Sequence, residues 1–388
     1  MKRKRRLALL GMAGLMAACP ATAMAASPEF ARTAEEWARL QDNVLEYDEI
    51  EGLIAEYNAT VQANQLELNE FKRKYGNTKD DISAKYRDMA DEIYASISYP
   101  DADDPTYGYV VASVLMAEVQ AKNLEQQADE NLDDSEIIYL NNKLAEKTLA
   151  TVAQSNMISY AKGRLELEQA EISLRQAETS LASAQARQAT GTATQVDVLN
   201  AQEALLTALR NLDSAKSGIE NVRQKLLVML GWKFNDNPEI REIPSADMER
   251  AAAMDPEADK ETALKNNYTL QVNKKKLSNA ASANVVESLQ KTIADNERKI
   301  GSALVTSYQN VITAKLAYDQ AKADLELADR NFRSMEVNYQ LGNVSRTEWE
   351  NQQYAVQSKR LALKVADMNL FQAMETYDWA VNGLASTS

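Results

Sequence analysis

The sequence predicts an all-α protein whose core is a long antiparallel coiled-coil hairpin of helices present twice, with little or no β-structure. Three observations carry this. The seven prolines (Pro20, Pro28, Pro100, Pro105, Pro238, Pro244 and Pro256) leave 106–237 and 257–388 free of proline, two tracts of equal length. Proline removes a backbone donor and clashes with the preceding turn, so such tracts favour long helices. Apolar residues recur through both tracts at alternating spacings of three and four, and a glycine stands where each pattern reverses, Gly191 in the first and Gly342 in the second.

The chain of 388 residues opens on Lys2, Arg3, Lys4, Arg5 and Arg6, an apolar run from Leu7 to Ala18, and Ala23-Met24-Ala25 before Ala26. A basic segment, a short apolar core and small residues around a cleavage point predict a secretory signal peptide over 1–25. Cys19 follows Leu15-Met16-Ala17-Ala18, a degenerate lipoprotein-type context, which leaves lipid anchoring at Cys19 open beside ordinary cleavage. The chain carries a net charge of −14, and loss of the basic segment makes the mature chain more acidic still. That charge disfavours nucleic acid phosphates as partners.

Histidine is absent and Cys19 is the only cysteine. Nucleophile systems built on Ser-His-Asp or Cys-His are thereby excluded, as are Cys/His zinc sites. No glycine-rich phosphate loop is present. The expectation is a protein that is not an enzyme and holds no cofactor or metal.

The segment from about Asp134 to Thr190 reads as one helix. Tyr160, Leu167, Leu174 and Leu181 mark one seam position and Gly163, Ala170, Ala177 and Ala184 the other. Beyond Gly191, Val198, Ala201, Leu205, Ala208, Leu212, Ala215, Ile219, Val222, Leu226 and Met229 repeat the spacing, so the two helices form a hairpin with Gly191 at its tip. Leu165, Ile172, Leu199, Leu206 and Leu209 widen the stripes, which suits helices with neighbours on two sides. The register that aligns Gly191 with Gly342 places Val311, Ala314, Tyr318, Ala321, Leu325, Ala328, Phe332 and Met335 on the first stripe. On the second it places Trp349, Val356, Leu363, Ala366, Leu370, Ala373, Tyr377 and Ala380, with Gln352 and Lys359 as exceptions. An arm from Val286 to Leu341 extends roughly 84 Å at 1.5 Å per residue. A hairpin of that length has no globular core, so lateral assembly is expected.

Upstream of the hairpins, Tyr57-Asn58-Ala59-Thr60-Val61 resembles Asn266-Asn267-Tyr268-Thr269-Leu270 in a different register. The first half therefore carries an extra segment, about 75–133, with an irregular stretch from Tyr99 to Pro105 flanked by helix-like sequence. Pro238, Pro244 and Pro256 lie in the polar linker that joins the halves.

These residues resemble the TolC family of outer membrane efflux proteins, from about Tyr47 to Gly383. The most specific match is Gly191-Thr192-Ala193-Thr194-Gln195-Val196-Asp197-Val198-Leu199-Asn200-Ala201-Gln202, a glycine and small polar turn followed by Asp-Val-Leu-Asn-Ala-Gln. The second tip, Tyr339-Gln340-Leu341-Gly342-Asn343-Val344-Ser345-Arg346-Thr347-Glu348, matches more loosely, and Leu230-Gly231-Trp232 and Val381-Asn382-Gly383 resemble the family's helix ends. The organisation implied is a first TolC-like repeat over 26–230 with a helical insert at 75–133, a linker over 231–256 and a second repeat over 257–388.

The resemblance implies a homotrimer enclosing a hollow α-barrel in the cell envelope, at the outer membrane or in the periplasm. It would act as a passive conduit with a periplasmic adaptor (membrane fusion protein) and an inner-membrane pump such as an ABC or RND transporter, expelling small molecules or proteins. By position, Gly191, Thr192, Ala193 and Thr194, with Gly342, Asn343, Val344 and Ser345, match the turns that meet the adaptor. Asp197 and Glu348 match acidic positions at the constricted entrance, and Tyr339 matches a tyrosine of the closed-state contacts. Read as residues alone, the glycines supply positive φ between helices, and the carboxylates equally well stabilise helix starts. Trp349 reads as a packing residue.

One family feature is missing. Relatives insert a β-hairpin into each half and close a β-barrel in the outer membrane, which takes about ten alternating residues per strand. Between Leu270 and Val285 the second half has no strand-like stretch. The first half offers only Ile93 to Tyr99 and Tyr107 to Val114. The expectation is a TolC-like protomer without the usual barrel strands. The alternative function is a non-channel envelope coiled-coil structural or adaptor protein.

Overall fold

A computed structural model describes residues 32–101, 103 and 105–387; the expected signal peptide and Cys19 lie outside the described residues. The chain divides into two units, one ending at Asn43 and one from Val44 onward. The first holds α1 (Ala34–Gln41), which begins on a capping box: the Thr33 hydroxyl accepts from the Glu36 amide, and the Glu36 carboxylate accepts from the Thr33 amide at 2.6 Å.

The second unit begins with β1 (Val44–Leu45), followed by α2 (Ile50–Tyr57) and α3 (Ala59–Tyr75). Asn58 sets the joint between these helices. Its Oδ1 accepts from the amides of Thr60 and Val61, and its Nδ2 donates to the Met229 carbonyl at 2.9 Å. One side chain thus caps the start of one helix and the end of another.

The extra segment is a helical hairpin, α4 (Lys79–Ser96) and α5 (Tyr107–Glu130). Val110, Val114, Ala117, Ala121, Leu124 and Ala128 form a stripe at spacings of four and three, with Val114, Ala121 and Ala128 buried, and α5 packs along α4, where Ile82, Ser83 and Ala90 are buried. The Ser83 hydroxyl donates to the Ala128 carbonyl at 2.6 Å, Arg87 pairs with Asp129 at 2.8 Å, and the Tyr94 and Tyr99 hydroxyls reach Glu125 and Glu118. The two strand-like stretches of the sequence fall in α4 with the residues just after it and in the start of α5. Their β-branched and aromatic residues favour strands in isolation, and helical pairing along a seam overrides that preference.

Asp134 then caps α6 (Ser135–Ala189), whose 55 residues span roughly 80 Å. The chain turns at Gly191 and returns along α7 (Gln195–Met229). The expected seam is the packed one: Val198, Ala208, Ile219 and Leu226 are buried, and a Cβ on Gly163 would come within 3.0 Å of Ile219 Cγ1. The small residues of α6 thus let the returning helix approach closely.

The linker carries β2 (Glu239–Ile240), which pairs in parallel with β1, Val44 opposite Glu239 and Leu45 opposite Ile240. Among the described residues these two pairs are the whole of the sheet structure. After α8 (Met248–Ala253), Asp255 caps α9 (Pro256–Asn266), which places Pro256 at the first helical position, where its missing donor costs nothing. In α10 (Tyr268–Asn279), Asn267 repeats the joint of Asn58. Its Oδ1 accepts from the Leu270 amide and its Nδ2 donates to the Ala385 carbonyl at 2.9 Å.

Three residues separate α10 from α11 (Ala283–Gln340), which is 58 residues long and roughly 87 Å, leaving no room for strands. The second turn at Gly342 leads into α12 (Arg346–Trp379). The return arms, 35 residues in α7 and 34 in α12, extend roughly 52 Å. Beyond the ends of those arms, α2 and α3 pack on α6, and α9 and α10 on α11.

The long helices form one layer in the order α7, α6, α12, α11. Its central junction is apolar with a polar fringe. Leu165 and Ile172 of α6 meet Leu361, flanked by Tyr354, Val365 and Met368 of α12. Gln169 Nε2 donates to the Ser358 hydroxyl at 3.1 Å, and Lys162 Nζ to Gln372 Oε1 at 2.7 Å. A large core lies away from the tips, where Ile300, Leu304 and Val311 of α11 meet Leu370, Met374 and Tyr377 of α12 with Ala263 and Leu270. Full burial of each large aliphatic side chain contributes about 1.5–3 kcal/mol.

Candidate functional site

The tips are built by the same local rules. At the first, the Gly191 amide donates to the Gln188 carbonyl at 2.9 Å and the Thr192 amide to the Arg187 carbonyl at 2.8 Å. At the second, Gly342 donates to Tyr339 at 3.0 Å and Asn343 to Asn338 at 2.8 Å. This paired closure requires a left-handed residue just past the helix end. Gly191 has φ +77° and Gly342 φ +76°, and a Cβ on either would meet open space, so each glycine is there for its backbone angle alone. Thr192, Thr194, Asn343 and Ser345 are exposed, while Ala193 and Val344 are half-buried at equivalent places.

Both returning helices start on a capping box. The Thr194 amide and hydroxyl donate to Asp197 Oδ2 at 2.7 and 2.8 Å, and the Asp197 amide donates back to the Thr194 hydroxyl at 3.2 Å. Ser345 and Glu348 repeat this, with two bonds of 2.8 Å and a return bond of 3.2 Å. The backbone amide of the capping residue, then its hydroxyl, holds each carboxyl below its usual pKa. Each tip therefore presents a carboxylate that is fixed in orientation, exposed to solvent and ionised at neutral pH. Among the described residues no hydrogen bond or ion pair joins Asp197 to Glu348 within one chain.

Tyr339 lies flat against Trp349, with ring centroids 5.2 Å apart and planes 17° from parallel, and Phe332 flanks the same indole at 6.3 Å. Trp349 is thus a packing residue that carries Tyr339. Its Nε1 is buried with no hydrogen-bond partner, as is Asn351 Oδ1 two residues on. The first tip has no such stack: Gln188, in the place of Tyr339, donates to Gln195. Sequence reasoning did not single out Tyr354 and Leu361, which with Leu165 and Ile172 form the junction between the hairpins. The signal was the widened stripe, but its partner lies almost two hundred residues away.

Solved structures with this arrangement include outer membrane channels. The CmeC outer membrane channel of Campylobacter jejuni matches with a TM-score of 0.54 at 10% identity, over 91% of this chain and 88% of that one. A membrane protein from Pseudomonas aeruginosa matches with a TM-score of 0.55 at 12% identity, over 87% and 90%. CusC, whose structures are described in terms of transmembrane channel formation, matches with a TM-score of 0.53 at 11% identity, over 87% and 92%. The chain has the fold of a TolC-like outer membrane channel. No protein-family model and no curated protein sequence matches it, so the likeness resides in the packing of the helices. This TolC-like chain departs from the expected pattern in both halves: α4 and α5 form a helical hairpin in the first, and only three residues join α10 to α11 in the second.

Proposed function

We propose that the protein is the protomer of a passive efflux or export conduit. In this reading three copies close a hollow helical tunnel in the cell envelope, the tips dock a periplasmic adaptor, and an energised inner-membrane pump of the ABC or RND kind drives small molecules or proteins through it. The halves 26–230 and 257–388 act as duplicated repeats joined by 231–256. Gly191 to Thr194 and Gly342 to Ser345 are the adaptor-facing turns. Asp197 and Glu348 ring the entrance, and Tyr339 takes part in its closed state.

One observation carries the assembly. The register that aligns the tip glycines aligns Leu165 with Leu316. Leu165 is 9% exposed, sealed against α12, whereas Leu316 on α11 is 65% exposed. The layer ends in two different apolar edges: Ile312, Leu316 and Leu327 on α11, and Val196, Leu199 and Leu206 on α7, all exposed. Exposed apolar stripes of this extent mark contact surfaces. Two unlike edges pair head to tail, and such contacts generate rings when the rotation closes.

Light scattering and cryo-electron microscopy of the mature protein test this reading. A hollow trimer is expected, and Leu316→Glu should reduce it to smaller species while preserving helix content. A monomer or a solid bundle would instead favour the non-channel structural or adaptor protein.

A further inference from the structure

We propose that the α4/α5 hairpin is a second assembly surface: the outer face of α5 in one copy packs against the outer face of α4 in the next, so that the hairpins form a helical collar. The proposal rests on the ring reading above, which brings the hairpins of all copies to one level.

The face is apolar and, among the described residues, unpartnered. Opposite the stripe that meets α4, α5 exposes Ala112, Leu115, Met116 and Val119, and from Tyr107 to Ala117 the helix has no charged residue. These positions follow the same spacing of three and four as the buried stripe, the pattern of a helix seamed on two sides. A lipid surface fits poorly as the occupant. The turn at the far end of the hairpin carries Asp101 and Asp103, which oppose insertion tip first. Among the described residues no helix is long and apolar enough to cross a membrane.

The neighbouring copy offers a complementary surface. The outer face of α4 consists of Ala84, Asp88, Asp91 and Ala95, all exposed. Among the described residues Asp88, Asp91 and Lys122, the one cation of α5, take part in no ion pair. The bonds from Ser83 to Ala128 on one side, and from Tyr94 to Glu125 and Tyr99 to Glu118 on the other, bracket the register of the hairpin, so that Lys122 stands near the level of Asp91 and Val119 near that of Ala95. Rotation about a symmetry axis preserves level. Lys122 of one copy therefore meets Asp91 of the next, with the bare side of Val119 against Ala95.

The test is a disulfide between copies. The protein is expressed from residue 26, without Cys19, as an Ala95→Cys, Val119→Cys variant and oxidised. The two positions lie on opposite outer faces of one hairpin, so a bond between them joins copies. Dimer and trimer bands are expected on a non-reducing gel, and none from either single-cysteine variant. Light scattering on the same sample separates the failures. A trimer without cross-link overturns the collar alone, and a monomer overturns both the collar and the conduit. Cross-linking by Val119→Cys alone would place α5 against α5 and overturn the pairing with α4. Sedimentation with phosphatidylethanolamine–phosphatidylglycerol vesicles, lost in Val119→Glu and seen without cross-link, would assign the face to lipid and overturn the proposal.

Discussion

A Cβ on Gly231 would lie 2.6 Å from the Cβ of Tyr57, and one on Gly383 would lie 2.5 Å from the Asn266 carbonyl oxygen. Both glycines also have positive φ, +89° and +109°. They close the return arms against the helix joints that Asn58 and Asn267 cap, so their substitution meets backbone strain and a clash together. Gly231→Ala and Gly383→Ala should each cost about 2–4 kcal/mol. Gly191→Ala and Gly342→Ala, in open space, should cost about 1–2 kcal/mol. Urea unfolding followed by far-UV circular dichroism would rank the four variants.

At the tips, charge and capping can be separated. Asp197→Asn with Glu348→Gln keeps an acceptor for the Thr194 and Ser345 amides and removes both charges. Asp197→Ala with Glu348→Ala removes the caps as well. If the carboxylates ring an entrance, both double variants should weaken cation selectivity equally in a planar bilayer, because the field follows charge. The alanine pair should lower the melting temperature further than the amide pair, which loses only the charge at each helix start. Unchanged selectivity in both would limit Asp197 and Glu348 to capping.

Acid should loosen the joint between α6 and α10. Burial pushes the Asp134 carboxyl up, but the Asn279 amide, the Ile137 backbone N–H and Lys275 outweigh it and hold the folded pKa below the ordinary value. Such a group contributes stability above the unfolded pKa of about 3.9, and the contribution is lost as the pH falls through the lower folded value. Asp134→Asn should therefore be less stable than the parent at pH 7, with the difference narrowing below about pH 4. A difference independent of pH would show that charge at Asp134 contributes nothing.

The stack of Tyr339 on Trp349 should hold the second tip together. Trp349→Leu removes an interaction of about 0.5–1.5 kcal/mol. Amide exchange across 339–349 should accelerate roughly twofold to tenfold, with the first tip unaffected. Tyr339→Phe keeps the stack and removes the hydroxyl, so it should leave exchange unchanged and raise channel open probability if the hydroxyl holds the entrance closed.

Much of the fold was legible because coiled-coil packing is local in sequence. The seams through Val198, Ala208, Ile219 and Leu226, and through Val311 and Ala328, could be read from spacing alone, and the tip glycines from their place at the reversal. The pairing of α6 with α12 was not legible, since Leu165 and Leu361 sit far apart and each resembles an ordinary flank of its own seam. The helical insert over 75–133 was legible even though Tyr107 to Val114 holds residue types that favour strands, because its apolar residues also follow helical spacing. At the site, the acidic positions were legible as helix starts. The bond that orients each carboxylate emerged only with the geometry of Thr194 and Ser345.

Among the described residues, positive-φ glycines occur at Gly76, Gly191, Gly231, Gly342 and Gly383. Apart from Gly76, they bracket α7 and α12, one before and one after each. The return arms are thus struts jointed at both ends, while α6 and α11 run on as unbroken masts. Each strut is therefore bounded by a left-handed residue at both ends and seamed along its length to the mast beside it.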